Sequence, residues 1–326
     1  MTDWYPENTL KEFLMKNERF VENTNINKIG IEDICQEITN IFKNKGYILK
    51  KYPFIKSLVD SYTDLDRVDH LSRDAYGSGI KAALLNFYMI IHNFKIAEKD
   101  GKFILGIKKE GIPPIIHLLT AREILYESFY SHPIVRAYES EFQRALIRLL
   151  ANTDLDIDEI LLSIDYFAFK KMLDYSKKED NKYSQKMLNR ILSQRPHRLY
   201  MEYRYKKGAF GEIEPFNITI NEMEEIEERI SKKLDISRDD IMIYIEWTGN
   251  MEELARLSFG KKIEIPVLDR DGDFTIEDYH PWIKQVLIDW TNRSSCRVYL
   301  DPKISYSTYI SSVIQEELQD HGIIGN

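Results

Sequence analysis

Apolar residues recur every three to four positions through most of the first half of the chain, which is the spacing of one helix face. Segments with this pattern are residues 8–20, 31–45 and 80–93. A pair of prolines at 113 and 114 begins a longer helical pattern that runs to Tyr130, and Pro133 begins another. The pattern therefore predicts a mainly helical N-terminal part.

One interruption has the features of a β-hairpin. Residues 94–97 and 102–107 flank Asp100 and Gly101, and this dipeptide tolerates the positive φ angles of a tight type I′ turn. We expect two short antiparallel strands at this point of an otherwise helical region.

The acidic segment 154–159 marks the start of two further helical patterns, at 156–176 and 183–194. After them, apolar and polar residues alternate, which is typical of strands. The alternation covers residues 198–205, 240–247, 262–268 and 297–300, with helical patterns near 221–234, 279–291 and 305–320 between them. The sequence predicts a mainly α protein with an α+β C-terminal lobe, divided into residues 1–152 and 153–326.

Composition narrows the class of protein. The 326 residues are 43% hydrophobic and 12% aromatic, which is enough to build a globular core. No apolar run of membrane-spanning length and no signal peptide are visible, so we expect a cytoplasmic protein without membrane contact. A net charge of −8 disfavours a dedicated nucleic-acid binder. The two cysteines, Cys35 and Cys296, do not suggest a disulfide framework.

The segment 61–79 carries the candidate chemistry. If it is helical, Asp66, His70 and Asp74 lie on one face, because residues four apart are neighbours on a helix surface. Two carboxylates and an imidazole in this arrangement can bind a divalent cation. The alternative is an ordinary solvent-facing stripe, in which Asp69 and Arg73 form a plain ion pair.

The residues Asp64 to Asp74, DLDRVDHLSRD, followed by Gly79, resemble the D-x-D-[RK]-x-D-Y-x-x-R-D segment of HD-domain phosphohydrolases of the deoxynucleoside triphosphate triphosphohydrolase type. The resemblance implies that Asp66 is the last metal ligand, that Arg67 contacts phosphate and that Asp74 contacts the sugar. His70 stands where the family usually has tyrosine, and it becomes a candidate substrate-binding residue.

The segment 120–133, TAREILYESFYSHP, resembles a second stretch of the same family, whose arginine and tyrosine reach the nucleotide. The matching residues are Arg122, Tyr126 and Tyr130. The alternative is that these tyrosines merely border a core formed by Leu118 and Leu125. The resemblance covers residues 27–150.

One part of the family pattern is missing. The metal site of the family needs an early His and an adjacent His-Asp pair, but His70 is the first histidine of this chain. Three explanations remain open: the chain is the C-terminal part of a longer enzyme, a second chain supplies the missing motif, or the site has degenerated.

The resemblance thus implies an HD-domain-like helical bundle that lacks its N-terminal helices. It implies a metal-dependent phosphohydrolase related to dNTP (dGTP) triphosphohydrolases, with an incomplete metal site and little activity as this chain alone. A divalent metal ion (Mg, Mn, Fe or Zn) is expected only if the site is completed. Expected partners are a deoxynucleotide and further copies of the chain. The alternative is a non-catalytic nucleotide-binding or oligomerisation module.

Overall fold

The structure is a computed structural model that describes residues 31–42, 47–204, 218–246, 265–269, 272–284 and 295–324. The predicted helix at residues 8–20 lies outside this part. The α-helices are α1 (Ile31–Phe42), α2 (Tyr47–Lys51), α3 (Phe54–Val59), α4 (Leu65–Ser78), α5 (Phe87–His92), α6 (Ile112–Leu125), α7 (Pro133–Asn152), α8 (Ile157–Leu161), α9 (Asp165–Lys178), α10 (Lys182–Leu192), α11 (Ile220–Leu234), α12 (Ile276–Tyr279) and α13 (Thr308–Asp320). The strands are β1 (Phe94–Lys99), β2 (Lys102–Ile107), β3 (Arg198–Arg204), β4 (Ile241–Glu246), β5 (Pro266–Asp269), β6 (Gly272–Thr275) and β7 (Ser295–Leu300).

This composition confirms the predicted class, a mainly helical protein with an α+β C-terminal part. Short 3₁₀ turns at Lys81–Ala83, Lys109–Gly111 and Arg238–Asp240 and a π-helical turn at Tyr126–Tyr130 connect the longer elements. Within the described segments, no helix combines the length and the apolar character needed to cross a membrane.

The described residues form two compact units. The first contains the chain up to Leu125 together with residues 265–284, and the second contains residues 126–246 as far as they are described together with residues 295–324. This division differs from the predicted boundary at residue 152. The physical reason is that α7 packs against α10 and β3, which belong to the second unit.

In the first unit, helices α1 to α6 accompany a four-stranded sheet of order β1-β2-β5-β6. The predicted hairpin is confirmed, since β1 and β2 pair antiparallel and Asp100 and Gly101 both have positive φ, 51° and 73°. Strand β5, which the sequence pattern placed in the C-terminal lobe, instead pairs in parallel with β2 through Ile107 and Val267. The helical pattern at residues 80–93 is interrupted, because the Asn86 side chain caps α5 by accepting a hydrogen bond from the Met89 amide.

In the second unit, β7 is the central strand of an antiparallel sheet of order β3-β7-β4. All six residues of β7 are buried. Cys296, Val298 and Leu300 pack in a core with α11 and α13, whereas Tyr299 clusters with Ala137 of α7. Because side chains alternate along a strand, the sheet is covered by helices on both faces. A second core joins α7, α9 and α10.

Burial gives Cys296 a testable chemical property. The side chain is inaccessible, and burial raises the pKa of the thiol to about 12. Because the thiolate is the reactive form, Cys296 should resist iodoacetamide in the folded protein at pH 8 and react rapidly in denaturant. A Cys35→Ser variant makes the measurement specific, since Cys296 is then the single cysteine of the chain. Fast labelling in native buffer would contradict the buried position of β7.

Candidate functional site

Helix α4 is fixed in place at both ends. Its N-cap, Asp64, is buried and accepts hydrogen bonds from the backbone amides of Arg67 (2.6 Å) and Ser61 (3.2 Å). At the other end Gly79 adopts a left-handed conformation (φ 74°), which glycine tolerates at a helix C-terminus. The first Asp of the DLD motif therefore has a structural role, and it sets the position of the residues that follow.

The polar stripe predicted for α4 is partly formed. The Nδ1 atom of His70 lies 2.9 Å from the backbone oxygen of Asp66 and 3.8 Å from its carboxylate. The Asp66 side chain is 84% exposed. Asp69 and Arg73 form the i, i+4 ion pair of the alternative interpretation, at 2.8 Å. The helix thus presents a histidine and a carboxylate side by side on its outer surface.

The guanidinium of Arg67 lies 3.6 Å from the buried Asp64 carboxylate, and its side chain is three-quarters buried. Asp74 is half-buried two turns beyond Asp66. The opposite face of α4, formed by Val68, Leu71 and Ala75, is buried. Arg67 and Asp74 therefore lie between the exposed and the buried faces of the helix, where they are held more firmly than Asp66.

A divalent metal needs several converging ligands. Among the described residues, no group of three or more His, Cys, Asp or Glu side chains is placed to hold a metal ion. Among the described residues, the ion pair of Asp66 is with His70, and the Nδ1 of His70 also lies within hydrogen-bonding distance of the Asp66 backbone oxygen. The side chains of the described residues do not fit the metal centre that the resemblance implies.

Arg122 lies in α6, which packs against α4 within the first unit. It follows the buried residues Leu118 and Leu119 by one turn and is half-buried. The structure therefore places the helix of Arg122 next to the helix of Asp66. That the two side chains serve one ligand stays a prediction.

Tyr126 and Tyr130 form the π-helical turn at the start of the second unit. Their rings make an edge-on contact with centroids 5.0 Å apart, and both side chains are half-buried. A single π-helical turn is a local irregularity that proteins often place at functional sites. The predicted role of these tyrosines at a nucleotide stays a prediction.

The sequence pattern missed the group that fixes this turn. Arg297, buried in β7, donates one hydrogen bond to the Ser131 backbone oxygen (2.9 Å) and another to the Glu202 carboxylate (2.8 Å). Burial alone would raise the pKa of Glu202, but the hydrogen bond and charge of Arg297 outweigh it and hold that pKa below its ordinary value. The sequence does carry a signal for this interaction, namely an arginine within the otherwise apolar strand SCRVYL. A charge in a fully buried strand needs hydrogen-bonding or ionic partners.

The model of the family described as the HD associated region matches residues 87–262, which is more than half of the chain. The chain therefore belongs to the HD-associated region family.

Curated relatives match a shorter segment. The chain is 34% identical over 116 residues to the uncharacterized protein MJ1154 of Methanocaldococcus jannaschii, covering 36% of this chain and 26% of that protein. It is 27% identical over 117 residues to the uncharacterized protein YwfO of Bacillus subtilis, covering 36% of this chain and 24% of that protein. The matches thus span about a quarter of the length of these relatives.

Two solved structures share the fold. A hypothetical protein from Aquifex aeolicus superposes with a TM-score of 0.55 at 18% identity, covering 92% of this chain and 70% of the other. A phosphohydrolase from Bacteroides thetaiotaomicron gives a TM-score of 0.50 at 17% identity, covering 88% of this chain and 70% of the other. The likeness extends over both described units.

Proposed function

We propose that the chain is the nucleotide-binding part of an HD-family phosphohydrolase related to deoxynucleoside triphosphate triphosphohydrolases. The single observation that carries the proposal is the arrangement of α4. Its N-cap anchors a helix that carries the family-like DLDRVDHLSRD segment, and α6 with Arg122 packs beside it. The membership in the HD-associated region family and the fold shared with a phosphohydrolase support the same class.

Each candidate residue of the first unit has a role in this proposal. The guanidinium groups of Arg67 and Arg122 bind the phosphate chain, for which their fork of N–H donors is suited. Asp74 and His70 hydrogen-bond the sugar. Asp66 serves as the last ligand of the metal site.

The early His and the adjacent His-Asp pair of the family motif do not occur before His70, and the proposal assigns these ligands to further sequence upstream or to a second chain. A divalent ion bound through Asp66 alone keeps most of its water shell and is held weakly. We therefore expect a nucleotide-binding chain that does not hydrolyse dNTPs at a typical enzymatic rate unless the ligand set is completed.

The prediction is tested by measuring the release of triphosphate and deoxynucleoside from a panel of dNTPs, together with metal analysis. The chain alone should show no Asp66-dependent turnover. Supplying the missing His and His-Asp segment, by extending the gene upstream or by adding a neighbouring protein, should produce metal binding and turnover. Asp66→Ala should then abolish both. Robust turnover by the chain alone would overturn the incomplete-site argument and make His70 the first substitute ligand to test.

Calorimetry separates this proposal from the rival, a non-catalytic nucleotide-binding or oligomerisation module. Metal-independent dNTP binding, with no turnover even after completion of the ligand set, would favour the rival. The matched variants are Arg67→Gln and Arg73→Gln, which remove one arginine each from the same helix. Only Arg67→Gln should weaken binding, because Arg73 is exposed and paired with Asp69.

A further inference from the structure

A buried pair, Glu141 and His197, attaches helix α7 to the sheet of the second unit. Glu141 lies in α7 and His197 directly precedes β3. The two side chains are 0% and 1% exposed. The Oε1 atom of Glu141 accepts a hydrogen bond from the His197 backbone amide (2.8 Å) and lies 2.7 Å from the Nδ1 atom of its ring. One carboxylate oxygen therefore holds both the backbone and the ring of His197.

The second ring nitrogen of His197 determines its protonation state. This Nε2 atom lies 3.0 Å from the backbone oxygen of Asp239, in the 3₁₀ turn before β4. A backbone carbonyl oxygen can only accept a hydrogen bond, and so can an ionised carboxylate. A neutral imidazole carries a proton on one nitrogen only, so its other nitrogen would face an oxygen with no proton between them. Both contacts are satisfied when His197 is an imidazolium that donates from each nitrogen.

The geometry also favours the ionised form of Glu141 over a neutral acid that donates its proton to the ring. Its Oε1 atom accepts from the backbone amide as well, and two N–H bonds to one carboxyl group stabilise the charged form. The distance of 2.7 Å is typical of a hydrogen bond between two charged groups. Among the described residues, the Oε2 atom of Glu141 has no hydrogen-bond partner. The buried carboxylate therefore depends on His197 for its hydrogen bonds.

The other charges around the pair have partners of their own. The titratable and charged groups beside it, on α7 and on the elements packed against it, are Tyr138, Arg144, Lys186, Arg190, Arg198, Arg238, Asp239, Asp240 and Asp301. Each lysine and arginine of this set pairs with a carboxylate, except the exposed Arg198, which contacts a backbone oxygen. Burial, together with the charge of Glu141, raises the pKa of Tyr138. Histidine is the side-chain type in this cluster that ordinarily changes charge near neutral pH.

We propose that the Glu141–His197 pair is a proton-dependent link that holds α7 to β3 and to the turn before β4. This proposal does not depend on the nucleotide-binding function. When the imidazolium releases a proton to solvent, one ring nitrogen becomes an acceptor opposite an oxygen atom. Attraction at that contact is replaced by repulsion, in a buried place where water does not compensate. The Arg144–Glu227 pair, one turn further along α7, keeps its charges, so α7 is loosened as the pH rises and not released.

Urea unfolding of the full chain at pH values from about 6 to about 9 tests the link. Where a histidine of the unfolded chain has lost its proton, the folded state holds one proton more, so its stability falls as the pH rises. Across this range the unfolding equilibrium constant of the wild type should rise roughly tenfold more than that of His197→Asn. Asparagine keeps an N–H donor close to the Nδ1 position and does not titrate. The control is His321→Asn, because His321 also lies near a glutamate, Glu317, but is partly exposed. It should follow the wild type.

Nitrogen-15 NMR of the histidine-labelled wild-type protein reads the protonation state directly and does not depend on the folding of a variant. The signals of His197 are those missing from His197→Asn. At about pH 7 both ring nitrogens of His197 should carry protons. In Glu141→Gln one of them should be bare at the same pH, because an amide does not stabilise an imidazolium as a carboxylate does. A bare ring nitrogen in the wild type, or two protonated nitrogens in Glu141→Gln, would overturn the proposal. Equal pH dependence of stability in the wild type and His197→Asn would overturn it as well.

Discussion

Replacing Glu227 with alanine should lower the free energy of unfolding by about 3–5 kcal/mol, because the change leaves a buried charge without its partner. Glu227 of α11 is fully buried and accepts two hydrogen bonds from the guanidinium of Arg144, both 2.7 Å long. It also accepts one from the Ile243 amide and pairs with Arg238. Burial opposes the charge of Arg144, but Glu227 outweighs it and raises the pKa of Arg144 above its ordinary value.

Urea unfolding followed by circular dichroism measures the loss. The matched control is Glu228→Ala on the next residue, whose exposed carboxylate pairs only with Lys232 among the described residues. Its effect should be small, because exposed pairs contribute little. A double change of Arg144 and Glu227 to methionine should cost less than the sum of the two single changes, since neither charge is then left alone. Equal effects of Glu227→Ala and Glu228→Ala would contradict the buried pair.

The elements that the sequence predicted well depend on local signals. The β1–β2 hairpin follows from Asp100-Gly101, and the α4 contacts of Asp66 and His70 follow from helical spacing. In each of these features, the interacting residues are only a few positions apart in the sequence. The local pattern of residues is therefore sufficient to predict them.

Non-local pairings escaped prediction. Strand β5 was assigned to the C-terminal lobe because the sequence alone does not show that residue 267 pairs with residue 107. The domain boundary differs for the same kind of reason. Arg144 of α7 reaches Glu227, 83 residues further along the chain, and Glu141 accepts a hydrogen bond from the His197 amide. Such partners become visible only when the tertiary fold is known.

The candidate site also has a part that local sequence signals predict and a part that depends on non-local contacts. The sequence pointed to the candidate residues of α4 through a motif, and in the structure α6 packs beside α4. The sequence signals that Arg297 needs buried partners but not that Ser131 is one of them, because Arg297 lies 166 positions beyond Ser131 in the chain. The family resemblance pointed to the two tyrosines but not to the hydrogen bond from Arg297 to the Ser131 backbone oxygen next to their turn.

Arg297→Met should loosen the Tyr126–Tyr130 turn. Methionine has a similar length but donates no hydrogen bond, so the buried carbonyl of Ser131 and the carboxylate of Glu202 both lose a donor. We expect a loss of about 1–3 kcal/mol for the unsatisfied buried groups. Faster hydrogen exchange at residues 126–132 should accompany it. The control is Arg204→Met, since Arg204 contacts the other oxygen of Glu202 from an exposed position.

The pH dependence of stability gives this prediction a second readout. Because Arg297 holds the pKa of Glu202 below its ordinary value, the ionised carboxylate stabilises the folded state at pH values above the pKa of an unfolded glutamate. That stabilisation is lost as the pH falls through the lower pKa of the folded state. In Arg297→Met, burial remains without the compensating charge, so the acid-dependent part of the stability should shrink or change sign. Unfolding curves from neutral pH down through the acid range compare the two proteins. If Arg297→Met and Arg204→Met lose the same stability at every pH and leave exchange at residues 126–132 unchanged, Arg297 does not hold the turn.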